Sequence, residues 1–175
     1  MVSFKEQIAN YVLGNVGESA LIEAATSALL EGFDTKHLRI LAAENERNYN
    51  AFEVLSEFRI ALSEMGFVLP SEQEAASTLI CFWCRQILQG LVNPYEGAEH
   101  IVNEVYYRLS SLGHEKLVGE SIGMSAIIGC YYEFGDLQEG FIEYEGKKIS
   151  KTEAEEILER HIVAEASKYL EEKCT

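Results

Sequence analysis

The sequence predicts an all-α protein, a compact single-domain bundle of about seven to nine helices over residues 1–175 with one short β-hairpin near 141–149. Three observations carry this. Capping-box spacings recur at Ser3 and Glu6, Asn50 and Glu53, Ser71 and Glu74, and Ser150 and Glu153, where paired side chains satisfy the open N–H groups of a helix start. Gly32, Gly66, Gly90 and Gly113 each follow an amphipathic stretch, as helix-ending residues do. Between starts and stops, apolar residues recur at three- and four-residue intervals.

The clearest element is "NAFEVLSEFRIALSEMG", in which Val54, Leu55, Phe58, Ala61, Leu62 and Met65 share one face and Glu53, Glu57 and Glu64 lie off it. "SEQEAASTLICFWCRQILQG" is apolar around most of its circumference, which predicts a central helix. In "QGLVNPYEGAEHI", Gly90 ends that helix, Asn93 is a suitable N-cap, and Pro94 begins the next where its missing N–H costs nothing. "FIEYEGKKI" alternates around Glu145 and Gly146 and predicts the hairpin. The last helix, roughly Lys151 to Lys173, turns Ile157, Leu158, Ile162, Ala166, Tyr169 and Leu170 inward.

Composition bounds the function. With 29 acidic and 14 basic residues the net charge is −15, which disfavours nucleic acid and anionic membranes and favours a basic protein partner. The start, "MVSFKEQIANYVLGNVGES", lacks an unbroken apolar run, and the uncharged stretch from Ser121 to Tyr132 is too short to span a bilayer. A cytoplasmic protein is expected, with Cys81, Cys84, Cys130 and Cys174 as free thiols.

The Gly-x-x-x-Pro-x-x-Gly-Ala turn within "QGLVNPYEGAEHI", with "GFDTKHLRILAAEN", "EVLSEFRIALSEMGFVLP" and "ILERHIVAEASKYL", resembles a group of small helical bacterial proteins of unknown function. The resemblance implies a compact helical fold and brings no activity or functional residues with it.

Two motifs invite catalytic readings. "GESIG" (119–123) matches the Gly-x-Ser-x-Gly elbow of serine hydrolases, and Asp136 and His161 follow Ser121 in the required order. That elbow needs a buried strand before it and a parallel sheet around it; only "KLV" could be such a strand, and no Gly-rich oxyanion loop precedes it. The favoured reading makes Gly119, Gly123, Ala126 and Cys130 a narrow face for close packing. "CFWC" has the spacing of a redox pair or half a zinc site, but Cys130 and Cys174 form no second pair, so small buried hydrophobes are expected. His37, His100, His114 and His161 give no ligand cluster; His100 could approach Glu96 and Glu104 as a surface ion pair. No metal or cofactor is expected.

The remaining signal is acid interleaved with aromatics. Glu133, Asp136, Glu139, Glu143 and Glu145 run without a basic residue among them, alongside Tyr131, Tyr132, Phe134, Phe141 and Tyr144. Carboxylates steer a basic partner and aromatic rings anchor it. The expected partner-binding set is Glu133, Asp136, Glu139, Phe141, Glu143, Tyr144 and Glu145. The expected function is a non-catalytic immunity protein that masks the cleft of a cationic toxin such as a nuclease. In general character the chain is similar to helical immunity proteins of contact-dependent growth inhibition systems. The alternatives are a small serine hydrolase built on Ser121 and a generic helical adaptor.

Overall fold

The computed structural model describes residues 2–44, 49–111, 122–137, 141–144 and 147–174. Its helices are α1 (Phe4–Val12), α2 (Ala20–Leu30), α3 (Lys36–Ala42), α4 (Ala51–Glu64), α5 (Glu72–Leu88), α6 (Pro94–Ile101), α7 (Tyr107–Ser111), α8 (Ser125–Asp136) and α9 (Lys151–Lys173). A π-helical turn, Val102–Tyr106, joins α6 to α7 without a break. The expected all-α class is observed. So is the hairpin: β1 (Phe141–Tyr144) pairs antiparallel with β2 (Lys147–Ser150), Glu143 opposite Lys148 and Tyr144 opposite Lys147.

Local chemistry sets the helix starts. Ser3 and Ser150 form full capping boxes with Glu6 and Glu153. Ser71 and Glu74 exchange the same reciprocal bonds, at 2.8 and 3.3 Å. Asn50 departs from the expected pattern, because its side chain accepts from the Phe52 N–H and donates to Glu53 instead. Asn93 and Glu96 complete a further box at the start of α6, with Pro94 inside it. Gly32, Gly66 and Gly90 take left-handed backbone at the ends of α2, α4 and α5. Gly113 lies outside the described residues.

Contacts divide the chain into two compact units, Met1–Leu79 and Ile80–Thr175. In the first, α2 packs against α1, α3 and α4. Its buried alanines, Ala24, Ala25 and Ala28, let those neighbours approach, and Phe4, Ile8, Leu21, Leu38, Leu41, Val54, Phe58 and Leu62 fill the space between. Each such large side chain contributes about 1.5–3 kcal/mol on leaving water. Phe4 meets Phe33, Phe58 and Phe67 at ring-centroid distances of 5.9, 6.4 and 5.7 Å. The stripe expected on α4 is present, with Leu55 and Met65 half-buried at its edge.

In the second unit α9 packs on α6 and α8, and the hairpin lies against α9. Ala154, Leu158, Ile162, Ala166 and Tyr169 form the buried stripe of α9, and Ile157 and Leu170 flank it half-buried. The core of this unit also takes Ala98, Ile101, Val102 and Val105 from α6 and the π turn, and Ile127, Ile128 and Cys130 from α8. Gly97 is buried where α6 crosses α5, and a Cβ there would lie 2.4 Å from Ile87 Cγ1.

The cysteines do not all match the expected free thiols. Cys81 and Cys174 form a disulfide, their Cα atoms 6.0 Å apart. Cys84 and Cys130 remain free and buried, and burial pushes the Cys84 thiol up to about 12. The correction has a physical cause: the spacing of "CFWC" describes neighbours within α5, while the cysteine that reaches Cys81 comes from beyond the end of α9.

The narrow packing face expected after "GESIG" is also corrected. Ala126 is exposed, and Gly123 precedes α8 with φ +73, close to the Tyr169 ring. Residues 119–121, including Ser121, lie outside the described residues. Asp136 and His161 are both exposed, and the only sheet among the described residues is the two-stranded hairpin. No helix among the described residues is long and apolar enough to cross a membrane.

Candidate functional site

Helix α8 turns Ile127, Ile128 and Cys130 toward its neighbours and leaves its last turns to aromatic and acidic side chains. Tyr131 stacks on Tyr95 of α6 at 5.6 Å and 14°, and Phe134 meets the same tyrosine at 4.7 Å. Beside Tyr131, the Tyr132 hydroxyl lies 2.8 Å from that of Tyr107, one donating to the other. Tyr106 and Tyr131 flank that pair at 5.5 and 5.4 Å. The result is a continuous array of rings drawn from α6, the π turn, α7 and α8.

Both hydroxyl-paired tyrosines remain open to solvent, Tyr107 at 46% and Tyr132 at 42% exposure. The bond to Tyr107, with burial second, pushes the Tyr132 hydroxyl up to about 12. Tyr132 is therefore a neutral phenol at physiological pH. Burial, then Tyr95 and the Glu99 carboxylate, raise Tyr131 in the same direction. The Cys130 thiol is raised by burial first and then by Glu133 and Glu165. Carboxylates from three helices thus act on side chains of α8, Glu99 on Tyr131 and Glu133 and Glu165 on Cys130. Glu99, Glu133 and Asp136 are exposed and make no ion pair among the described residues.

The expected partner-binding residues are divided by the structure. Glu133 and Asp136 stand exposed on α8. Phe141, Glu143 and Tyr144 belong to β1, with backbone partners Ser150, Lys148 and Lys147. Glu139 and Glu145 lie outside the described residues. Glu143 is thus in backbone register with Lys148 of β2, away from the carboxylates of α8 in the chain. The residues added to the α8 face are Tyr95, Tyr107 and Glu99. Nothing in "VYYRL" singles out Tyr107, since sequence neighbours on a helix can both be buried, as Ile127 and Ile128 are.

A second cluster in the same unit involves Trp83, His100 and Glu104. The Trp83 indole stacks on the His100 imidazole at 3.8 Å and 3°, and its Nε1–H donates to Glu104 Oε2 at 2.8 Å. His100 Nδ1 bonds the other carboxylate oxygen at 2.8 Å. The expected His100–Glu104 surface pair is therefore one side of a three-residue arrangement that α5 completes. Glu104 lies in the π turn, a distortion that recurs at functional positions.

In the first unit, His37 is held between two carboxylates of α4, with Nδ1 bonded to Glu57 and Nε2 3.5 Å from Glu64. The carboxylates address opposite ring nitrogens, so the three do not converge on one cation. Among the described residues no group of three His, Cys, Asp or Glu side chains has metal-binding geometry.

Comparison with protein-family models, curated proteins and solved structures finds no match to this chain.

Proposed function

We propose that the chain is a protein-binding protein without catalytic activity, most concretely an acidic immunity protein that binds a cationic toxin domain and masks its active cleft in the cytoplasm. One observation carries the reading. The Tyr107–Tyr132 face is solvent-exposed and bordered by Glu99, Glu133 and Asp136, carboxylates that make no ion pair among the described residues. Burying a tyrosine ring on a partner gives short-range affinity at low conformational cost, while unpaired carboxylates attract a basic surface from a distance. A net charge of −15 extends that attraction over the whole molecule.

The test pairs the protein with the product of the reading frame immediately upstream of its own gene. Association should slow as salt rises from about 0.01 M to physiological strength, since the Debye length shrinks from about 30 Å to about 8 Å. Glu99→Gln, Glu133→Gln and Asp136→Asn together should slow association about tenfold with stability little changed. Tyr132→Ala should instead speed dissociation. Protection of cells from that upstream product, lost in the combined variant, supports the masking role. An acidic partner, or binding indifferent to both salt and neutralisation, removes it.

A further inference from the structure

Helix α9 ends badly by its own sequence. Its last turn carries Glu171 and Glu172 at the negative end of the helix dipole, where carboxylates are unfavourable and only Lys173 compensates. The C-cap is Cys174, with φ −114, and its backbone N–H donates to the Leu170 carbonyl at 3.2 Å. Tyr169 is the last buried residue; beyond it Leu170 is half-buried and Glu171, Glu172 and Lys173 are exposed. Beyond its backbone hydrogen bonds, this turn is tied to the core by the bond from Cys174 to Cys81, which is itself buried within α5 at 6% exposure.

The bond has no rival inside the protein. Cys84 lies one helical turn from Cys81, but its thiol is fully buried and protonated, and thiol–disulfide exchange requires a thiolate. Cys130 is buried as well, with its thiol also raised. Exchange must therefore come from outside, at the half-buried Cys174 and not at the buried Cys81.

We propose that Cys81–Cys174 is a redox latch on the last turn of α9. In the oxidised state residues 170–173 are held as helix with Cys174 as the cap; in the reduced state this turn frays while the rest of the second unit stays folded. The latch closes when a low-molecular-weight disulfide accepts the two electrons and two protons of the paired thiols and leaves as two thiols. It opens when an external thiolate attacks Cys174 Sγ: the Cys81 sulfur departs and takes a proton, and a second thiol then releases Cys174 and regenerates the small disulfide. In a reducing compartment the latch rests open and closes under oxidation.

Hydrogen exchange at labelling times of seconds, read by mass spectrometry on oxidised and phosphine-reduced protein, tests this. The peptide covering residues 170–174 should pass from protected to fully exchanged on reduction, with peptides from α6 and α8 still protected at the same times. Cys174→Ser should show the fast pattern with or without reductant. Three results would overturn the proposal: unchanged exchange at residues 170–174, simultaneous loss of protection through α5, α6 and α8, or alkylation of all four cysteines in protein kept under oxidising conditions.

Discussion

Replacing Gly97 by alanine sets two well-measured effects against each other. Within a helix, Gly→Ala is stabilising by about 1 kcal/mol, because alanine loses less backbone freedom on folding. At Gly97, however, the new Cβ would lie 2.4 Å from Ile87 Cγ1, 2.6 Å from Ile87 Cδ1 and 3.4 Å from Val92 Cγ2. Carbon atoms rest at about 3.5–4.0 Å, so Ile87 would have to move by roughly 1 Å or more. It has little freedom to do so, being 4% exposed and β-branched, with a stiff χ1 and its Cγ1 tied close to the α5 backbone. Overpacking of this kind costs about 1–3 kcal/mol. Set against about 1 kcal/mol of helix propensity, the net effect of Gly97→Ala is a destabilisation of about 0–2 kcal/mol.

Gly129 supplies the control. It sits exposed inside α8 with ordinary backbone, and a Cβ added there would meet nothing within 4 Å among the described residues. There only propensity acts, and Gly129→Ala should be stabilising by about 0.5–1 kcal/mol. Urea unfolding followed by far-UV circular dichroism measures both. Gly97→Ala should lack the gain seen at Gly129, and Ile87→Ala should cost less when combined with Gly97→Ala than in the parent, since it removes the two atoms in the clash. Stabilisation by Gly97→Ala comparable to that at Gly129 would refute the close approach of α6 to α5.

Reduction should lower the melting temperature substantially: the bond joins residues 93 apart, and constraint of so long a loop in the unfolded chain is worth up to about 4.6 kcal/mol. For a unit of this size that is on the order of 20 °C, and Cys174→Ser should melt alike with and without reductant. Glu104→Ala should be destabilising by about 1–3 kcal/mol, because it takes the acceptor from the Trp83 indole N–H. His100→Ala should also alter the emission of Trp83, the single tryptophan, by removing the ring stacked on it. Hydrogen bonds from Ser71 and Ser150 hold the Glu74 and Glu153 carboxyls below their ordinary 4.5. Their folded-state values being depressed, the stabilisation is complete above the unfolded value and is lost as pH falls through the folded one. Acid titration should therefore show a smaller loss of stability below about pH 4.5 in Glu153→Gln than in the parent.

Local features were the legible ones. A capping box is written within four residues, so Ser3, Ser71 and Ser150 announced their helices, and α9 spans the range from Lys151 to Lys173 that the sequence predicts. Asn50 also marked its helix, although its shorter side chain selected a different N–H. Features made by distant segments were not legible. Nothing in "CFWC" indicates a partner 93 residues away, and nothing around His37 indicates that two turns of α4 present Glu57 and Glu64 to it. The π turn was equally hidden, since one added residue per turn leaves the apolar spacing of Ile101, Val102, Val105 and Leu109 readable as ordinary helix. The acidic segment read as one continuous face because sequence adjacency was all it offered. The chain instead separates α8 from β1 and brings Tyr95 and Tyr107 to Tyr131 and Tyr132 from another helix pair.

The distribution of the acidic residues argues for where an interface would lie more strongly than their number does. Many of them have structural tasks. Glu6, Glu74, Glu96 and Glu153 close helix starts, Glu31 accepts from the Phe4 N–H, Glu57 and Glu64 hold His37, Glu104 joins Trp83 to His100, and Asp34 takes Arg39. Removing those charges disturbs caps and buried contacts, so stability would register the change. Glu99, Glu133 and Asp136 carry no such task among the described residues, and they border the exposed Tyr107–Tyr132 pair. Exposed charges of one sign held together repel one another and add little to the fold. The two sets therefore separate experimentally: neutralising the first should move unfolding curves, and neutralising the second should move association rates alone. If the second set moved unfolding instead, those carboxylates would belong to the fold and the tyrosine face would lose its claim to be an interface.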